Sequence, residues 1–171
     1  MARHLKNIPL RVLMNGRSMG TLSRKSNGAI TFDYDQGWLA WEHALPVSLS
    51  LPLREDSYTG ALVIAVFDNL LPDNDTIGRR IAVRVGAEGI DAFSLLGSLG
   101  RDCVGALQFL PDGADPGAPG TVDGVPISDD DIGRLLADLQ SAPLGLDENE
   151  DFRISIAGAQ EKTALLKWQG R

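Results

Sequence analysis

In this 171-residue chain, the segment best suited to chemistry by residue type and spacing is Ala157-Gly158-Ala159-Gln160-Glu161-Lys162. Its small side chains let backbone N–H groups approach a phosphate, glycine permits the dihedrals such a loop needs, and Lys162 can add a cation. The residues before it alternate: Phe152, Ile154 and Ile156 share one face, and Arg153 and Ser155 point the other way. Thr163 to Trp168 carries no helix cap and reads as a second strand. Strand–loop–strand resembles the phosphate lid of protein kinases more than the strand–loop–helix of P-loop NTPases. Ser155 is a candidate for modification, because a phosphate there would place negative charge beside the loop. Composition alone, with its single glycine, favours an ordinary hairpin turn with a solvated lysine. Pattern alone favours a plain strand serine.

Other groups offer less. Asp68, Asp73 and Asp75 are close enough in sequence to suggest a divalent cation site, but they lack the ligand periodicity of a calcium loop. A helix end, a proline stop and an N-cap account for them without metal. Arg101-Asp102 lacks the flanks of a kinase catalytic loop and suits a helix-to-strand turn with a local ion pair. Cys103, the sole cysteine, has no neighbouring histidine and reads as a small core residue. His4 and His43 have no metal-ligand companion nearby. Trp38, Trp41 and Trp168 read as core and rim packing rather than a ligand platform.

The positioning elements can be read from pattern. Leu10 to Met14, the turn signal Asn15-Gly16, Met19 to Ser23, the turn Asn27-Gly28 and Ala29 to Tyr34 predict a small antiparallel meander. Val47, Leu49, Leu51 and Leu53 alternate, which predicts a strand ended by Pro52. Helices are predicted over 60–71, stopped by Pro72, over 76–85 behind the N-caps of 73–75, and over 91–99, ended by Gly100. A strand follows over 104–110. Four glycines and four prolines fall within 111–127, a linker composition. Ser128 with Asp131 forms a capping box, and Ile132, Leu135, Leu136 and Leu139 extend a helix over 129–140.

The bulk properties fit this picture. Hydrophobic residues make up 43% and charged residues 23%, ordinary for a chain with a packed core. A net charge of −7 argues against direct nucleic-acid binding, which needs a basic surface. No apolar run is long enough for a membrane span, and no secretory signal is visible. A single cysteine suits a reducing cytoplasm.

Three segments taken together go beyond pattern: Asp68-Asn69-Leu70-Leu71-Pro72-Asp73, Gly100-Arg101-Asp102-Cys103-Val104-Gly105-Ala106, and Asp151 through Leu166. In order and spacing they resemble the HipA family of bacterial toxin–antitoxin serine/threonine kinases, as do Asn27-Gly28-Ala29 and Leu49-Ser50-Leu51-Pro52-Leu53. The resemblance covers nearly the whole chain apart from the linker. It implies an α+β fold: a small antiparallel sheet or barrel-like module with helices over 1–110, a linker over 111–127, and the start of a kinase core over 128–171. It implies that Ala157 to Lys162 is the ATP-binding loop and that Ser155 is the autophosphorylated residue whose modification ejects the loop. It also implies ATP and Mg²⁺ as cofactors and a translation-related protein substrate such as glutamyl-tRNA synthetase. The implied partner is a HipB-like helix-turn-helix antitoxin, which would contact DNA in the chain's place. The kinase's catalytic and metal-binding aspartates have no counterpart in the 171 residues, so this chain is expected to be inactive alone. It is expected to be a fragment rather than a natural split subunit. The alternative is a non-catalytic module that binds an antitoxin or a separate kinase lobe.

Overall fold

A computed structural model describes residues 8–72, 74–102, 106–117, 126–138 and 167 of the protein. The meander is present as predicted. β1 (Leu10–Met14) and β2 (Arg17–Arg24) are joined by Asn15 and Gly16, both at positive φ (51° and 77°), the geometry a two-residue hairpin turn requires. β3 (Ile30–Tyr34) pairs with β2 beyond a turn in which the Ala29 N–H donates to the Asn27 side-chain oxygen at 3.0 Å. The register of β1 on β2 shifts between Val12 and Leu13, leaving Met19 as an extra residue on β2. That bulge turns the Met19 carbonyl to accept from the Asp35 N–H at 3.0 Å.

Two short elements were not predicted: α1 (Gln36–Leu39) and the two-residue strand β4 (Tyr58–Thr59). The helices follow: α2 (Ala61–Asp68), α3 (Asp75–Val85) and α4 (Ala92–Leu99), the last running into a 3-10 turn at Gly100–Asp102. The cap of α3 is among those expected, and that of α4 was not foreseen. The Asn74 side chain accepts from the N–H groups of Thr76 (2.8 Å) and Ile77 (3.4 Å), and Asp91 accepts from Ser94 (3.1 Å). β5 (Leu107–Pro111) then returns to the sheet beside β1, pairing Val12 with Phe109. The order is β4-β3-β2-β1-β5, every pair antiparallel. The sheet is open, so of the two forms expected for this α+β module the sheet is the one found. α5 (Asp129–Asp138) lies beyond the linker. Its capping box is formed: the Asp131 N–H donates to the Ser128 hydroxyl at 3.2 Å and the Ser128 N–H to the Asp131 carboxylate at 3.0 Å.

The core lies between one face of the sheet and the helices, with Val12, Met19, Phe32, Val63, Phe67, Leu96 and Phe109 at its centre. Phe67 of α2 meets Phe32 and Phe109 edge-on, with ring centroids 5.4 and 5.5 Å away. Such pairs add about 0.5–1.5 kcal/mol each beyond burial. They bolt α2 across β3 and β5.

The predicted strand over 47–53 is corrected. Only one isolated bridge, Ser48 to Leu51, survives there, and the segment is a tight turn with the Leu51 N–H donating to the Ser48 carbonyl at 3.0 Å. The four alternating residues do not share a face: Leu51 is fully buried, Leu49 is 94% exposed and Leu53 is 37% exposed. Side-chain tethers from aromatic residues outside the segment, described next, override its local alternation.

Candidate functional site

Three aromatic residues hold the 45–52 turn. The Trp38 indole N–H donates to the Leu45 carbonyl at 3.0 Å. The Tyr34 hydroxyl accepts from the Val47 N–H at 2.9 Å and donates to the Leu51 carbonyl. The Tyr58 hydroxyl donates to the Pro52 carbonyl at 2.6 Å. These aromatics sit where β3, α1 and β4 put them, and Tyr34 packs edge-on against Phe32 at 4.8 Å. Burial pushes the Tyr34 phenol above its ordinary value of 10.0, opposed by its hydrogen bond from Val47. The phenol therefore stays neutral and keeps both contacts.

Between the sheet and helices α2 and α4 the structure has a cavity of about 320 Å³. Leu22 and Ile30 of the sheet, Val63, Ile64 and Phe67 of α2, and Ala92 and Phe93 at the start of α4 line it. Arg24 and Asp91 stand at its edge as an ion pair. Arg24 also lies over the Phe93 ring, 4.7 Å from its centroid, and Asp91 in turn caps α4. This cavity has apolar walls, and its two charged groups are paired with each other. It can take an apolar group; among the described residues that line it there is no free nucleophile or acid–base pair with which to do chemistry on one.

Of the residues singled out in the sequence, Ser155 and the loop Ala157, Gly158, Ala159, Gln160, Glu161 and Lys162 lie outside the described residues, as do Asp73, Cys103, His4 and Trp168. Asp68 and Asp75 are exposed, and Asp75 faces Arg79 at 3.9 Å. Among the described residues no cluster of His, Cys, Asp or Glu could hold a metal ion. Arg101 is a turn residue whose guanidinium donates to the Asp115 carbonyl at 2.8 Å. Trp38 is buried and Trp41 packs edge-on against it at 5.1 Å with Arg17 over its ring, the core and rim packing expected of them. The Arg24–Asp91 pair was not foreseen: its members stand 67 positions apart. The sequence placed Asp91 only as the first residue of a predicted helix.

The model of the HipA N-terminal domain matches residues 10–110, more than half of the chain. A Sinorhizobium fredii (strain NBRC 101917 / NGR234) protein named "Putative kinase Y4mE" is 35% identical over 166 residues, covering 94% of this chain and 39% of its own length. The chain thus spans about two fifths of that relative. A structure of Shewanella oneidensis MR-1 HipA, solved with HipB and operator DNA, matches with a TM-score of 0.59 at 24% identity, over 75% of this chain and 29% of that one. At that identity the likeness is one of fold. Among the described residues no helix is long and apolar enough to cross a membrane.

Proposed function

The chain belongs to the HipA family, and from that premise we propose that it is the N-terminal part of a HipA-type toxin serine/threonine kinase. The observation that carries this reading is the extent of the similarity to Y4mE. It covers 94% of the chain and so runs well past residue 110, into the stretch that holds the candidate nucleotide loop. On this reading residues 1–110 form the N-terminal module, 111–127 a linker, and 128–171 the entry to the kinase core. Ala157 to Lys162 grips the ATP phosphates, and Ser155 receives a phosphate that releases the loop. ATP and Mg²⁺ serve the complete kinase, and the substrate is a translation-related protein, by family analogy glutamyl-tRNA synthetase, whose phosphorylation arrests growth and favours persistence. The partner is a HipB-like helix-turn-helix antitoxin that carries the contact with DNA. The place of action is the cytoplasm.

In-line phosphoryl transfer needs metal, base and positioned phosphates together. The loop supplies only the last of these, so the chain by itself turns over no ATP. A second reading, a non-catalytic module that binds an antitoxin or a separate kinase lobe, draws on the exposed apolar residues Leu49, Leu62 and Ile64.

Intact-mass measurement of the complete polypeptide before and after Mg-ATP decides between them. Gain of one phosphate at Ser155, abolished by Ser155→Ala, supports the kinase. No gain, with the polypeptide folded and nucleotide present, overturns it in favour of the interaction module.

A further inference from the structure

The chain does not leave the module where β5 ends. The Asp112 N–H donates to the Pro9 carbonyl at 3.2 Å, and the Ala114 N–H to the Pro111 carbonyl at 3.0 Å. Gly113 stands inside that turn at φ 82°, a conformation that favours glycine. The Gly117 N–H then donates to the Asp115 carboxylate at 3.0 Å. Residues 112–117 form a strap folded back on the module, with Ala114 and Pro116 half-buried.

Two arginines hold this strap by its backbone. The Arg11 guanidinium donates to the Ala114 carbonyl at 2.5 Å, across 103 positions, and the Arg101 guanidinium to the Asp115 carbonyl at 2.8 Å. Arg11 lies between Leu10 and Val12, which face the helices, so its side chain projects from the opposite face of the sheet. Leu110, its register partner on β5, shares that face and is buried. The Arg11 Nε is buried there with no hydrogen-bond partner among the described residues. A charged donor buried and unmatched costs stability, so the sheet alone gives no reason for an arginine at this position. The strap supplies one: among the described residues its carbonyl is the hydrogen-bond partner of the Arg11 side chain.

We propose that Arg11 and Arg101 are a clasp on residues 112–117, a conformational device that sets how much of the 111–127 joint is free. The inference rests on the reading of 111–127 as the joint between the N-terminal module and the kinase core. Clasped, the strap belongs to the module, and 118–127 alone joins the two parts. Released, the joint gains residues 112–117. That lengthening lowers the effective concentration of one part at the other by about twofold.

The test uses the complete polypeptide carrying Arg11→Met and Arg101→Met together. Methionine keeps an apolar stem at position 11 and removes the buried Nε, so the melting temperature is expected to hold. Hydrogen exchange in 112–117 is expected to quicken by about tenfold or more, while α3 exchanges as in the wild type. Spin labels on Ser98→Cys in α4 and Ala137→Cys in α5, in a Cys103→Ser background, are expected to show a broader distance distribution. Exchange in 112–117 that is as slow in the double variant as in the wild type overturns the clasp. Faster exchange with an unbroadened distribution overturns the device, since the strap then sets nothing beyond its own order. If the double variant does not fold, Arg101→Met alone decides by the same two readings, because Arg101 is exposed. Neither reading uses ATP, so a polypeptide that gains no phosphate refutes the kinase reading and leaves the strap result as measured.

Discussion

Gly100 provides the sharpest test of the packing, because two physical effects at that position have opposite signs. Its backbone is ordinary right-handed helix, φ −68° and ψ −2°, which alanine adopts freely. On backbone grounds alone, Gly100→Ala would stabilise the fold by about 0.4–1 kcal/mol, since alanine loses less freedom on folding. Packing opposes this. A Cβ on residue 100 would lie 2.4 Å from the Phe109 Cβ and 3.1 Å from its Cγ and carbonyl oxygen. Phe109 cannot yield easily: it is 1% exposed, paired with Val12 in the sheet and packed edge-on against Phe67. Overpacking a filled core costs about 1–3 kcal/mol, so the net effect is a destabilisation of about 1–2 kcal/mol. For a domain of this size that lowers the melting temperature by several degrees. Gly78, in α3, is the matched control: a Cβ there meets nothing within 4 Å among the described residues, so Gly78→Ala should show the stabilisation unopposed. Urea unfolding followed by tryptophan fluorescence, with Trp38 as buried reporter, measures both. If Gly100→Ala proves as stabilising as Gly78→Ala, the placement of the 3-10 turn against β5 is wrong.

Tyr34→Phe removes the hydroxyl that joins Val47 to Leu51 and should cost about 1–3 kcal/mol, with faster hydrogen exchange at the Val47 amide as its local signature. Because burial raises the Tyr34 phenol, its contribution is complete below the ordinary value of 10.0 and is lost as pH rises through the higher folded-state value. Wild type should therefore lose stability in alkali more steeply than Tyr34→Phe, as thermal melts above that pH will report. Asp91→Ala deletes both the α4 cap and the partner of Arg24; about 1–2 kcal/mol is expected from the cap alone. Asp91→Asn, which can still cap, should recover most of that loss in the same unfolding assay.

Short-range chemistry was readable from the chain and long-range chemistry was not. Asn15-Gly16, Asn74 and Ser128 each act within three residues of themselves, so the hairpin and the starts of α3 and α5 could be placed from sequence. The 47–53 segment shows the limit. Its alternation is a fair strand signal, yet tethers from residues 34, 38 and 58 fold it into a turn and leave Leu49 in solvent. β4 consists of two residues and makes sense only beside Thr31 and Phe32. The cavity edge depends on Arg24 meeting Asp91 across 67 positions. The candidate nucleotide loop was legible only as a weak small-residue motif until its neighbours were read as a family pattern. It lies outside the described residues, so chemistry must test it.

The most direct measurement is ATP turnover by this 171-residue chain and by the complete polypeptide, side by side with Mg²⁺. On the proposed reading the complete polypeptide transfers phosphate and the chain alone does not, because in-line transfer needs a base and metal ligands that the candidate nucleotide loop does not supply. Turnover by the 171-residue chain would contradict it, and so would a folded complete polypeptide that transfers no phosphate.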